Sequence, residues 1–251
     1  MAETILVTGA SAGFGQAICR RLVADGHRVI GAARRIEKLQ ALHKELGEAF
    51  YPLQMDVTDL TQVDQALASL PKAWEQIDVL VNNAGLALGL APAQKAEIAD
   101  WLTMIQTNII GLTYLTRQIL PQMVERNDGY VINMGSTAGT VPYPGANVYG
   151  ASKAFVKQFS LNLRADLAGK QIRVTNIEPG LCEGTEFSSV RFKGDEKRVE
   201  ALYRDAHAIQ PEDIANTVSW LIQQPKHVNV NRIEIMPVSQ TFGPQPVYRG
   251  D

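Results

Sequence analysis

Seven short apolar runs recur along the chain, TILVTGA, RVIGAAR, FYPLQMDV, IDVLVNNAG, GYVINMGS, RVTNIEPG and RIEIMPV, separated by longer segments with helical periodicity. In those segments apolar residues return every three or four positions, as at Ile18, Leu22 and Val23, or at Phe155, Phe159 and Leu163. Strands that alternate with helices require right-handed crossovers, and these make the sheet parallel and cover both of its faces. The expected class is therefore α/β. No period of about 20 to 50 residues repeats, and no low-complexity linker divides the chain, so the reading is one domain over residues 1–251. Two segments depart from the alternation. Residues 184–210, GTEFSSVRFKGDEKRVEALYRDAHAIQ, form a charged irregular insertion expected to act as a substrate lid. Residues 239–251, SQTFGPQPVYRGD, are rich in Pro and Gly and read either as a frayed tail or as an arm docked on a neighbouring subunit.

Composition removes several function classes. A formal net charge of −2 leaves no basic excess for nucleic acid. The start MAETILVTGA lacks a basic, then long apolar, leader, and no run reaches the roughly 18 apolar residues of a membrane span. Cys19 and Cys182 have no metal-ligand spacing. A cytoplasmic protein with reduced thiols, without membrane or nucleic-acid partners, is the expectation. The four histidines share no ligand spacing with Cys or carboxylates, so no metal is expected.

The first apolar run leads into TGASAGFG, with Gly9, Gly13 and Gly15 at the turn and a helix starting near Phe14. A strand, a glycine turn and a helix N-terminus let backbone N–H groups approach a pyrophosphate. The spacing is GxxxGxG, and on its own it also fits a tight strand-to-helix connection. The second run ends in GAARR. Ala32 and Ala33 offer no carboxylate to an adenosine ribose, whereas Arg34 and Arg35 suit a 2′-phosphate, so NADP(H) is favoured over NAD(H). Arg34, nearer the strand end, is the stronger of the two, and Arg35 fits equally a solvated charge opening the next helix.

With TGASAGFG, NNAG at 82–85, Asn108, Ser136 and Tyr149-x-x-x-Lys153, the chain resembles the short-chain dehydrogenase/reductase family over nearly its whole length. Ser136 precedes Tyr149 by 13 residues, and EPG occupies 178–180. The resemblance implies a single Rossmann-type doubly wound domain with a seven-stranded parallel sheet, assembled as a homotetramer. Within the family the similarity is to bacterial NADP-dependent 3-hydroxy acid dehydrogenases acting on serine, allo-threonine and malonic semialdehyde, through GSTAGTVPYPGANVYGASKAF and EPGLCEGTEFSSVRFKGD. Sulfoacetaldehyde reductases are similar too. The family's cofactor contacts carry over to Gly9, Ser11, Phe14 and Gly15 at the phosphates and ribose, and to Asp56 and Val57 near adenine. They carry over also to Asn82, Ala84 and Gly85 after the fourth strand, and to Pro179, Gly180 and Thr185 at the nicotinamide.

Reducing a carbonyl by hydride puts negative charge on oxygen, so the site needs a proton donor and aligned hydrogen bonds. Tyr149 is the expected donor. On a helix, positions four apart share a face with Cβ atoms about 5–6 Å apart, so the Lys153 ammonium is placed to favour the phenolate and lower the Tyr149 pKa. The resemblance adds that Lys153 bonds the nicotinamide ribose, Ser136 orients the substrate carbonyl, and Asn108 completes a proton relay through water. An anionic substrate needs a cation, and Arg191, Lys193 and Arg249 are the candidates, Arg191 first because TEFSSVRF follows the nicotinamide strand. Asn147 and Phe187 are expected to shape the pocket beside Ser136 and Tyr149. The functional expectation is an NADP(H)-dependent oxidoreductase of a short anionic aldehyde or ketone and its hydroxy acid. The competing class is a non-catalytic NADP(H)-sensing binding protein on the same fold.

Overall fold

A computed structural model describes residues 2–242 of the chain. Each of the seven apolar runs is a strand: Thr4–Thr8 (β1), Arg28–Ala33 (β2), Phe50–Gln54 (β3), Val79–Asn82 (β4), Gly129–Met134 (β5), Ile172–Pro179 (β6) and Arg232–Ile235 (β7). The α-helices among the described residues are Gly13–Ala24 (α1), Ile36–Leu46 (α2), Leu60–Ala68 (α3), Ile98–Ile105 (α4), Leu112–Arg126 (α5), Asn147–Asp166 (α6), Phe187–Arg191 (α7), Glu196–Tyr203 (α8) and Pro211–Gln223 (α9). The strands pair in parallel in the order β3-β2-β1-β4-β5-β6-β7. This is the doubly wound Rossmann-type arrangement that the alternation implies.

Side-chain alternation sends successive strand residues to opposite faces. Ile5 and Val7 of β1 join one core with Ile18 and Leu22 of α1, Leu39 and Leu42 of α2, and Ile214 and Val218 of α9. Leu6, between them, joins the other core with Val63 of α3, Leu115 and Ile119 of α5, and Leu163 of α6. Full burial of a side chain such as Ile18 or Leu22 contributes roughly 1.5–3 kcal/mol. Helix ends follow local chemistry. Asp59 accepts from the Gln62 amide to start α3, Asn127 stops α5 in the left-handed region, and Pro211 opens α9 behind a Gln210–Asp213 capping box.

In α6 the inward stripe runs through Tyr149, Lys153, Val156, Ser160 and Leu163. Phe155, which shares helical spacing with Phe159 and Leu163, lies on the outer side, 38% exposed and stacked on Phe159 at 5.9 Å. The helix turns Tyr149 and Lys153 inward, which rotates Phe155 away. Residues 184–210, expected to be irregular, contain α7 and α8. No helix among the described residues is long and apolar enough to cross a membrane.

Sheet order reverses between β1 and β4, and their C-terminal ends open a crevice there, where ligands of open parallel sheets bind.

Candidate active site

The crevice begins at the glycine turn. Gly9 has a φ of +68°, and a Cβ on Gly15 would lie 2.3 Å from the Gly9 carbonyl oxygen, so turn and helix approach as only glycine permits. Ala12 provides no side-chain cap for α1, and the first amides of that helix have no partner within it. Open N–H donors at the positive end of a helix dipole fit a diphosphate. The Phe14 ring packs against the core, so the contact expected at this position falls to its backbone.

The wall after β4 differs from expectation. Asn82 is buried away from the crevice, its amide donating to Thr116 Oγ1 at 2.9 Å and to Asn133 Oδ1 at 2.8 Å. Its neighbour Asn83 faces the turn instead, donating to the Thr8 carbonyl at 2.8 Å and lying beside Gly9 and Gly15. Thr8 Oγ1 accepts from the Asn83 and Ala84 amides at 3.0 and 2.9 Å, which joins the ends of β1 and β4. Asn83 and Thr8 escaped the motif reading. Strand alternation was their signal: a residue next to a buried strand position faces the other way. Gly85 keeps the floor open, since a Cβ there would lie 3.3 Å from both Asn108 Oδ1 and Lys153 Nζ.

At the far end of the crevice, Ala32 and Ala33 are buried and Arg34 extends outward, 73% exposed, with Asp56 Oδ2 at 3.9 Å. Asp56 also accepts from the Thr58 amide and hydroxyl at 2.9 and 2.8 Å. Val57 packs partly on the core. Arg35 is not a free surface charge. Its guanidinium donates to Ser11 Oγ at 3.0 and 3.2 Å and to both Glu186 oxygens at 2.8 and 3.1 Å. With no acid at the strand end and two arginines beside it, this end fits a phosphorylated ribose.

The side chains expected to react converge on the β5 side. Tyr149 is 8% exposed and Lys153 6% exposed. Lys153 Nζ donates to the Met134 carbonyl at 2.8 Å and lies 5.8 Å from the Tyr149 ring centroid. Ser136 Oγ accepts from the Ala138 amide at 3.1 Å and reaches the Pro179 carbonyl at 3.4 Å. Asn108 sits in a π-helical turn, Gln106–Gly111, that joins α4 to α5. Its amide donates to Leu86 O at 2.9 Å and Ser152 Oγ at 3.0 Å, and its carbonyl accepts from the Leu86 amide at 2.9 Å. The side chain thus braces the floor beside Gly85, and any part in a proton relay falls to its main chain.

Electrostatics reverse one expectation. Burial pushes the Tyr149 phenol up to about 12, opposed by the Ser136 hydroxyl and the Arg191 charge. Burial draws Lys153 itself down to about 8, so in the ligand-free chain the lysine has lost its charge before Tyr149 titrates and does not offset the burial of the phenol. The unfolded chain holds the lysine proton to the ordinary 10.5, whereas the folded chain releases it near 8. Between those values the unfolded state binds more protons, so stability rises with pH there. Lys153→Met should therefore gain stability over the wild type below pH 8, with the gap closing by up to about 3 kcal/mol by pH 10. Urea melts of the ligand-free chains across that range measure it, and a constant gap would count against the buried ammonium.

Three consecutive residues of segment 184–210 close over these groups. The Thr185 side chain lies over Gly13, within 3.0 Å of where a Cβ would stand. Glu186 meets Arg35 and Lys38, and the Phe187 ring lies 5.7 Å from that of Tyr149. Further along, Arg191 Nη2 donates to the Tyr143 hydroxyl at 2.8 Å, and the guanidinium lies 5.6 Å from the Tyr149 ring centroid. A cavity of about 360 Å³ opens beside it, bordered by Leu88, Trp101, Asn147 and Phe192. Asn147 borders that cavity with its amide engaged, donating to Ala91 O at 3.1 Å and accepting from Trp101 Nε1 at 3.2 Å. Lys193 pairs with Asp100 at 2.8 Å. Behind β6, Gly180 N–H donates to Ile235 O at 2.8 Å, and Gln240 accepts from the Leu181 amide at 2.7 Å. Arg249, with the rest of the tail beyond Phe242, lies outside the described residues.

A parallel sheet with a glycine turn at its switch point, and a Ser, Tyr and Lys gathered beside it, define a dinucleotide-dependent dehydrogenase site. The chain belongs to the short-chain dehydrogenase family, whose profile matches residues 3–196. It is 59% identical over 245 residues to the NADP-dependent 3-hydroxy acid dehydrogenase YdfG of Salmonella typhi, covering 98% of this chain and 99% of the relative. It is 52% identical over 249 residues to the serine 3-dehydrogenase of Agrobacterium fabrum, covering 99% of each. Among solved structures, the closed form of a serine dehydrogenase complexed with NADP+ matches with a TM-score of 0.97 and 56% identity, over 98% of this chain and 100% of that one.

Proposed function

We propose that the chain is an NADP(H)-dependent oxidoreductase that interconverts a short anionic aldehyde or ketone and its hydroxy acid. Malonic semialdehyde with 3-hydroxypropionate, serine or allo-threonine, and sulfoacetaldehyde with isethionate are the substrate pairs of matching chemistry. NADP(H) is favoured by the acid-free end of β2 with Arg34 and Arg35, and by the relatives named above. Bound in the crevice, the reduced nicotinamide supplies the hydride.

The chain's own groups do the remainder. Tyr149, protonated at neutral pH, donates to the developing alkoxide, and Ser136 aligns the carbonyl oxygen beside it. Lys153, on the same face, is the cation within reach of the ribose and Tyr149. The observation that carries the substrate class is Arg191, a half-buried cation 5.6 Å from the Tyr149 ring. A planar guanidinium there suits a carboxylate or sulfonate attached a short distance from the reacting carbon. Segment 184–210 serves as the substrate lid. Ile98 and Leu102 of α4, 65% and 59% exposed, support a homotetramer formed over the helices flanking the sheet. The protein is proposed to act in the cytoplasm.

Following cofactor oxidation with malonic semialdehyde, sulfoacetaldehyde and uncharged aldehydes, each with NADPH and NADH, tests this reading. Turnover with NADPH and an anionic aldehyde is expected to exceed turnover with NADH or an uncharged aldehyde of equal size. Equal rates with both cofactors, or a preference for the uncharged aldehyde, would overturn it.

A further inference from the structure

Among the described residues, Glu186 is the carboxylate that reaches across the crevice to the basic end of β2. It accepts from both terminal nitrogens of Arg35 at 2.8 and 3.1 Å, and from Lys38 Nζ at 2.8 Å. Arg35 is tied in turn to Ser11 of the glycine turn. Isolated surface ion pairs contribute little, and these side chains are between 40% and 47% exposed. Here, however, a bidentate Arg–carboxylate pair shares its acid with a second cation, and the residues on either side make independent contacts. Thr185 rests on Gly13, and Phe187 rests on Tyr149. One short stretch therefore spans the crevice from the phosphate turn to the reacting phenol, held at its outer edge by Glu186.

Resting on the proposed NADP(H) site, we propose that Glu186 is the positioning residue of a clasp that holds segment 184–192 over the cofactor crevice and limits dinucleotide release. Arg35 and Lys38 hold the Glu186 carboxyl far below the usual carboxylate range, to about 2, so the clasp keeps its charge at all working pH values. Because Arg35 is engaged by Ser11 and Glu186, Arg34, with only a 3.9 Å approach to Asp56, is left as the less committed cation for a 2′-phosphate. An escaping cofactor then has to wait for Glu186 to leave two cations. Lid opening of this kind often sets turnover.

The test is stopped-flow displacement of NADPH from wild type, Glu186→Gln, Lys38→Gln and the double variant, read by cofactor fluorescence. Glu186→Gln should raise the dissociation rate about tenfold and change the association rate less than about twofold, as expected when one partner of a charge pair is removed. Lys38→Gln should raise it by less, and the double variant no further than Glu186→Gln, because the two act through one network. Added salt should shrink the difference. In the ligand-free chains, amide exchange over 186–192 should quicken in Glu186→Gln. A wild type that binds no NADPH would overturn the functional reading. If the wild type binds and Glu186→Gln leaves both dissociation and amide exchange unchanged, the clasp alone is overturned. It is overturned equally by a tighter NADPH complex in Glu186→Gln, which would make the carboxylate a competitor of the 2′-phosphate.

Discussion

Replacing Tyr149 by Phe should lower turnover by about 10²–10⁴-fold, the range for loss of a positioned proton donor, while NADPH binding stays within about twofold of wild type. The substitution removes one oxygen and keeps the ring, so packing against Phe187 and the approach of Arg191 persist. Tyr149 is buried on the inward stripe of α6, and the other ionisable group of that stripe, Lys153, donates to the Met134 carbonyl instead. In the ligand-free chain burial holds the phenol at about 12, so at neutral pH it carries its proton and is ready for carbonyl reduction. Hydroxy-acid oxidation needs the phenolate and should therefore rise steeply with pH, whereas reduction should not. Steady-state rates in both directions, with a fluorescence titration of NADPH, measure all of this. A Tyr149→Phe variant reducing an aldehyde at the wild-type rate would return the protein to the class of non-catalytic NADP(H) sensors.

The second large effect is expected at Arg191. Arg191→Met should raise KM for malonic semialdehyde or sulfoacetaldehyde by about 10- to 100-fold, since an unpaired anion in a half-buried site loses about 1.5–3 kcal/mol of charge-assisted hydrogen bonding. An uncharged aldehyde of similar size should change by less than about threefold, because it makes no such bond. The comparison between substrates is the informative measurement. Arg191 also approaches the Gly89 carbonyl at 3.4 Å and bonds Tyr143, so a purely structural loss would harm both substrates alike. An unchanged KM for the anionic aldehyde would remove Arg191 from the site.

Residue patterns in the sequence carried the seven strands, the parallel sheet between two helical layers and the glycine turn. Those features rest on local chemistry: apolar runs that only buried strands satisfy, and backbone conformations that only glycine adopts. The Tyr149–Lys153 spacing was legible in the same way, because helix geometry puts positions four apart on one face. Side-chain direction was not. Asn82 and Asn83 are adjacent and chemically identical, yet one bonds Thr116 inside the core and the other braces the glycine turn. Asn147 stands two positions before Tyr149 in sequence, but its amide is taken by Ala91 and Trp101, residues about 46 to 56 positions earlier.

The sequence by itself thus determined the architecture, the reaction chemistry its motifs can support and the absence of an acid at the end of β2. Tertiary structure alone decided which groups share a boundary and how that boundary shifts their charge. Lys153 was expected to lower the Tyr149 pKa, and instead both are governed first by burial, the phenol rising and the ammonium falling. Arg35 and Glu186, 151 residues apart, form the crevice's outer tie. Local propensities depend on neighbours a few positions away, whereas desolvation and ion pairing depend on what the fold brings within a few ångströms. No spacing rule along the chain encodes that distance.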